Sequence, residues 1–311
     1  MADPKILVGD VGGTHARFAL ADAGGTLSEA QTFEVQDFKR AEDALEQYIS
    51  AVSVRPTRLC IASAGKRRGD EITLTNAHWV LGEAALTKRF GLEKSSLVND
   101  FEALALGAAS LPADGLIEVQ AGARKLNAPR LCLGPGTGFG QAVILPGTPA
   151  QVIATEGGFR LLPVRTERDQ VLYRWLEAEL GRTPILEEAL SGRGLVHLLG
   201  ALRGQPLAIT PPELTAAALA GPGDEREAVR WFFEILATAA ADACLMTGAW
   251  GGVLIGGGVV PRLASLLDRD AFSTVFARPC QMQGQLKDVP IHIITDGTAA
   301  LRGAAAFALQ A

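Results

Sequence analysis

The chain has 311 residues, 48% hydrophobic and 20% charged, which is the composition of a protein that folds and excludes wholesale disorder. A formal net charge of -5 offers no basic footprint for a phosphate backbone, so no nucleic-acid partner is expected. No apolar stretch approaches the roughly 20 residues of a membrane span, and MADPKILVGD has no basic segment leading into a signal-peptide core. The expectation is a cytoplasmic chain with no membrane partner, long enough for two lobes that each bury a core.

In chain order, the apolar run at 5–10, KILVGD, predicts a buried strand that ends at Asp10. Gly12 and Gly13 then allow a sharp turn that aims backbone N–H groups at an anion, and Thr14 adds a hydroxyl. Asp10 could orient a hydrated metal ion, although an ordinary hairpin turn fits the same residues. A helix is predicted near 40–52, a strand at 58–63, and a solvated loop at Lys66, Arg67 and Arg68, the default for a charge run. LTNAHW brings Asn76, His78 and Trp79, with Trp79 and His78 read as packing and surface residues. After a helix at 82–90, the strand SSLVN gives way to a helix at 99–110, which places Asn99 and Asp100 at the junction. An N-cap pair accounts for those two residues without any ligand.

The strand at 130–134 leads into GPGTGFG and a second strand to 145, repeating the strand, glycine turn and strand of 5–22. The glycines match GxGxxG loosely, but GQAVIL continues as strand where a dinucleotide fold needs a helix, and no GxxxxGK[ST] occurs. Two glycine hairpins, one per lobe, remain as a clamp for a nucleotide. ATEGGFR follows, then a helix at 167–180 and the EEALSG segment. A long helix at 224–248 opens with Asp224 and, three residues on, Glu227, an acid-capped variant of the capping box. Strands at 251–256 and 290–295 complete the α/β alternation, with Gly256, Gly257 and Gly258 between the first and a further helix. Cys60, Cys132, Cys244 and Cys280 lie far apart with no CxxC, and are expected to be buried, reduced thiols.

The order GDVGGTxAR, LTNxxW, NDFEA, GxGTGFG, EGG, EExLSGxGL and GGVxIxGGxVPR resembles the bacterial ATP-dependent glucokinases of the actin-like sugar-kinase superfamily over nearly the whole chain. The resemblance implies a two-lobed actin-like ATPase (ribonuclease H-like) fold with duplicated sheet topology and an interlobe cleft. It sets a small lobe at 1–107, joined by a returning helix at 296–311, and a large lobe at 108–295. It implies transfer of the ATP γ-phosphate to the 6-hydroxyl of glucose with Mg2+, and Asp100 as general base.

By the same resemblance Asn76, Asn99, Asp100, Glu156, Phe159 and Glu187 meet the sugar, with Glu188 a solvated neighbour. Asn99 would bridge sugar hydroxyls with both its donor and its acceptor. Gly9, Asp10, Val11, Gly12, Gly13 and Thr14 meet the phosphate, Asp10 holding the metal through water; Gly136, Thr137 and Gly138 form the second phosphate contact, and Gly256 with Gly257 lies against the adenosine. A homodimer is the default assembly.

Three positions depart from the pattern. Phe159 stands where the family has a histidine that contacts the sugar, His15 replaces an asparagine, and AGKRRGD replaces a loop that usually begins AGPV. These departures leave two alternatives: a kinase for a different or modified hexose, and a catalytically weak sugar-binding paralogue.

Overall fold

The computed structural model describes residues 5–74 and 78–310. They form two compact units, Met1–Leu111 with Thr148–Val152 and Asp296–Ala311, and Pro112–Gly147 with Ile153–Thr295.

The sheet of the first unit is set by strands whose residues alternate between two buried faces. β1 (Ile6–Val11), β2 (His15–Ala21), β3 (Leu27–Glu34), β4 (Arg58–Ser63) and, after the shorter strands below, β8 (Lys94–Asn99) take the order β3-β2-β1-β4-β8. β1 pairs antiparallel with β2 and parallel with β4, and β4 pairs parallel with β8. Leu7, Val11, Leu59 and Ile61 face helices α1 (Ala41–Ala51) and α2 (Glu83–Phe90). Ile6, Val8, Cys60 and Ala62 share a core with Ala103 of α3 (Asp100–Ala108) and with the C-terminal helix Ala299–Gln310. The segment at Lys66–Arg68 is a strand and not a loop, with Arg67 and Arg68 exposed as a charge run implies: β5 (Gly65–Arg68) pairs with β6 (Glu71–Leu74), which pairs with β7 (Val80–Gly82). Strand pairing of the backbone overrides the expected loop there.

The second unit repeats this topology. β9 (Leu116–Gln120), β10 (Arg130–Pro135), β11 (Phe139–Leu145), β12 (Gln151–Thr155), β13 (Val253–Ile255) and β14 (Ile291–Ile294) lie in the order β12-β11-β10-β13-β14-β9. Strands β10, β11, β12, β13 and β14 occupy the places of β1, β2, β3, β4 and β8. β9 is an addition, pairing antiparallel outside β14. Helices α4 (Glu167–Leu180), α5 (Gly192–Arg203), α6 (Pro211–Ala220) and α7 (Asp224–Thr247) supply the core with residues such as Leu172, Leu198, Leu214 and Trp231.

The expected cap of α7 does not form. Its N-cap is Gly223, with no side-chain cap bond, and Asp224 accepts from Arg203 instead. Reciprocal capping boxes close α4 at Thr166–Asp169 and α6 at Thr210–Glu213. Cys60, Cys132 and Cys244 are buried as expected, but Cys280 is exposed, because it lies outside the secondary structure between two short helices. Among the described residues no helix is long and apolar enough to cross a membrane.

α3 packs on the C-terminal helix through glycine. A Cβ on Gly303 would overlap the backbone carbonyl of Ala103, and one on Gly107 that of Ala299. Helix propensity alone would favour alanine over glycine by about 0.8–1.0 kcal/mol, whereas overpacking against backbone costs about 1–3 kcal/mol. The steric term wins, so Gly303→Ala is expected to lower the urea unfolding midpoint. An unchanged or raised midpoint would show that the two helices separate freely.

Candidate active site

In the first unit the candidate residues gather where parallel strands end. Gly9 has a packing reason to be glycine, since a Cβ would stand 3.1 Å from the Phe18 ring across the hairpin. Val11 is buried in the core, so only its backbone faces outward. Asp10 is half-buried, its side chain 26% exposed, and lies 3.7 Å from the Arg17 guanidinium. Burial lifts the Asp10 carboxyl above its usual range, and Arg17 only partly opposes that. Arg17 was missed as a site residue, yet the hairpin register places it directly opposite Asp10.

Beyond Asp10, the Gly12 N–H donates to the His15 carbonyl at 2.9 Å, closing a turn whose tip, Gly13 and Thr14, is exposed. A Cβ on Gly12 would meet nothing nearer than 3.7 Å, so protein packing does not demand that glycine. His15 turns its Nε2 to Glu34 at 3.0 Å.

Asn99 is the last residue of β8, and Asp100 follows it directly. Asn99 is the N-cap of α3, and its side-chain oxygen accepts from the Phe101 and Glu102 amides at 2.9 and 3.1 Å. That commits its acceptor to the helix and leaves only its NH2 for a ligand, a correction to the expectation that both would bridge hydroxyls. Asp100 is the first residue of the helix, and its Oδ1 also accepts from the Phe101 N–H, at 2.9 Å. Asn76 lies outside the described residues. Trp79 is buried and donates its indole N–H to the Phe38 carbonyl, with His78 exposed beside the same oxygen.

In the second unit the turn between β10 and β11 is closed by a 2.7 Å bond from the Gly136 N–H to the Gly138 carbonyl, with Thr137 exposed at its tip. The Gly136 carbonyl accepts from Gly192 at the start of α5. Glu187 accepts the Phe139 N–H at 2.8 Å, and a Cβ on Gly138 would collide with its carboxylate. The 256–258 loop lies behind the same strand: Gly256 N–H donates to Leu133, and Gly257, at φ +82°, would overlap the Pro135 carbonyl if it carried a side chain.

Glu156 is exposed and leads into a single 3-10 turn, Gly157–Phe159, and Phe159 is 61% exposed. The Leu186 N–H donates to the Arg160 carbonyl at 2.8 Å, and Leu161 bridges Ile185, so the turns bearing Glu156 and Glu187 are tied together. Glu188 is the reverse of a solvated neighbour. It is buried, ion-paired with Arg182 and with Arg193 at 3.4 Å, and its carbonyl lies 2.7 Å from His197 Nδ1. Two guanidinium groups supply the countercharge that lets a carboxylate be buried.

These residues can hold anions on glycine-turn N–H groups, accept sugar-type hydroxyls at Glu156 and Glu187, and present a carboxylate, Asp100, at a helix start. Among the described residues no group of three or more His, Cys, Asp or Glu side chains could hold a metal by itself. Asp10 offers one carboxylate with incomplete compensation. That suits a hydrated ion such as Mg2+, which binds through one or two carboxylates while keeping water and phosphate ligands.

A family model described as Glucokinase matches residues 7–311. The chain is 38% identical to the glucokinase of Pseudomonas aeruginosa strain UCBPP-PA14 over 98% of its own length and 95% of that protein. It is 37% identical to the Chromobacterium violaceum glucokinase, over 96% and 88% respectively. Among solved structures, a glucokinase from an Antarctic psychrotroph superposes with a TM-score of 0.86 at 32% identity, covering 99% of both chains. The Balamuthia mandrillaris glucokinase in complex with glucose, at 18% identity, shares the fold with a TM-score of 0.83 over 99% of this chain and 94% of its own.

The folded state disfavours the ionised Asp10 carboxylate, so Asp10→Asn is expected to raise the thermal midpoint of the ligand-free protein at pH 7. Because the folded pKa lies above the unfolded 3.8, the gain is complete above the folded pKa, shrinks as pH falls, and vanishes below 3.8. Melting curves across that range check the sign; a lower midpoint at neutral pH would mean that the Arg17 contact outweighs the burial.

Proposed function

The chain belongs to the glucokinase family, and from that premise we propose how its own residues carry out the ATP-dependent phosphorylation of glucose at the 6-hydroxyl. The observation that carries the assignment is the junction of β8 and α3. A strand end and a helix cap fix Asn99 and Asp100 together, so that Asn99 donates to a sugar hydroxyl while Asp100 accepts the proton of the attacking hydroxyl. Phosphoryl transfer needs little more from a protein than positioning and charge stabilisation.

Glu156 and Glu187 accept further hydroxyls, and Asn76 completes the sugar set. Glu187 also receives the Phe139 N–H, which couples the sugar site to the Gly136–Thr137–Gly138 turn. In these two turns the N–H groups of Gly13, Thr14, Thr137 and Gly138 donate to the phosphates, while the Gly12 and Gly136 N–H groups close the turns that present them. Gly9 and Val11 contribute through backbone alone, since one is packed on Phe18 and the other is buried. Gly256 and Gly257 lie against adenosine. Asp10 would hold Mg2+ through water, and the ion would supply neutralisation of the phosphate charge.

The small lobe is read as 1–107 with 296–311 and the large lobe as 108–295, a division that the two compact units support to within a few residues except for the Thr148–Val152 segment. A cytoplasmic homodimer completes the reading, resting on the symmetric default for soluble enzymes.

Asp100→Asn is expected to lower kcat by about 10²–10⁴-fold, measured by coupled ADP release, with ATP affinity retained. Wild-type turnover in that variant would remove Asp100 as the base. Phe159 is exposed, so Phe159→His can place a donor at the sugar turn. One hydrogen bond is worth about 0.5–1.5 kcal/mol, and the glucose KM of that variant is therefore expected to fall roughly two- to tenfold. An unchanged glucose KM would show that position 159 does not meet the sugar.

A further inference from the structure

We infer that Arg67 and Glu83 form a positioning clamp for the catalytic base, acting through the peptide of Leu97. The two sheets differ at one place. In the second unit the outer edge of β14 is covered by β9, whereas β8, its counterpart, is the edge strand of the first unit. Residue Leu97 pairs inward with Ile61 of β4.

On the outer side, side chains do what a further strand would do. The Leu97 N–H donates to Glu83 Oε1 at 2.9 Å, and the Leu97 carbonyl accepts from Arg67 Nη1 at 2.7 Å. Arg67 Nη2 donates to the same Glu83 Oε1 at 2.9 Å, so an ion pair grips both polar groups of one residue. The Arg67 Nε–H is anchored to the Gly69 carbonyl at 3.0 Å.

The clamp acts where it matters for chemistry. β8 runs without a loop into Asn99, the cap of α3, and Asp100 comes three residues after the clamped residue. An edge strand bonded on one side only is free to fray at its end, and charge-assisted hydrogen bonds at Leu97 oppose that motion. The Arg67 charge also reaches α3, where it opposes the upward push that burial gives the Glu102 carboxyl. The KRR segment, which the glucokinase pattern does not share, thus gains a role. Displacement of about 1 Å at a catalytic group costs up to roughly a hundredfold in rate, so an intermediate loss is expected from a clamp acting at one remove.

This inference rests on the reading of Asp100 as base, and the test separates the two. Glu83→Ala and Arg67→Met are expected each to lower kcat about tenfold while the KM for ATP changes less than about twofold. Their double variant should be little worse than either alone, because they act as one unit. Glu83→Gln, whose amide oxygen still accepts the Leu97 N–H, should recover most of the rate, and Arg67→Lys part of it. These milder variants decide the matter if Glu83→Ala does not fold. Arg89→Ala, on the same helix as Glu83 but ion-paired with Glu46 of α1, should leave kcat unchanged. Wild-type kcat in the clamp variants beside an inactive Asp100→Asn would overturn the clamp. So would losses that merely track the folded fraction with no rescue by Glu83→Gln. Wild-type turnover in Asp100→Asn would instead overturn the base, whatever the clamp variants show.

Discussion

Parallel strands run out of hydrogen-bonding partners at their carboxyl ends, and the candidate chemistry sits where that happens. In the first unit β1, β4 and β8 run parallel and finish in register at Val11, Ser63 and Asn99. The backbone must then turn, cap a helix, or leave N–H groups for a ligand. The Gly12–Thr14 turn and the Asn99 cap are the two local solutions, and each brings a carboxylate, Asp10 and Asp100, to the same edge. In the second unit β10 and β13 end in glycine turns that touch, with the Pro135 carbonyl receiving Val259 N–H at 3.2 Å. Gly134 and Gly257 are glycines because two backbones meet there.

Much of this was legible because buried parallel strands read as short continuous apolar runs punctuated by glycine. KILVGD, RLCIAS and RLCLG mark strands whose ends the structure moves by no more than a residue. The duplicated strand–turn–strand unit was visible for the same reason. The helices α5 and α6 were not singled out, since in α6 alanines dominate and polar and apolar residues do not segregate cleanly. Long α7 was legible, but its cap was not. Gly223 precedes it, and the nearby Arg203 competes for the Asp224 carboxylate.

Adjacent like residues were the hardest to separate. Glu187 and Glu188 have the same chemistry, and nothing local says which is buried. The fold decides, by bringing Arg182, Arg193 and His197 around Glu188 and the Phe139 N–H to Glu187. Arg67 posed the same problem inside a run of three basic residues, where solvation is the ordinary outcome. The role inferred for it depends on β8 being an edge strand that lacks the outer neighbour β9 gives to β14.

Some of the buried polar groups that the fold leaves incompletely satisfied border the proposed site residues. Among the described residues, the buried Ser63 Oγ, Gln141 Oε1 and Arg160 Nε have no hydrogen-bond partner. Ser63 lies between Val11 and Asn99 in the sheet register. Gln141 lies against Gly157, and Arg160 immediately follows Phe159. Thr57 and Ser95 are unpartnered too, away from these turns, so the concentration is partial. Each such group costs about 1–3 kcal/mol when left unmatched, and Asp10 adds the penalty of a desolvated carboxylate with one distant counterion. A fold selected for stability alone would remove these groups with apolar residues of similar size. Ser63, between Val11 and Asn99, and Gln141, against Gly157, leave polar atoms open beside residues proposed to bind phosphate and sugar.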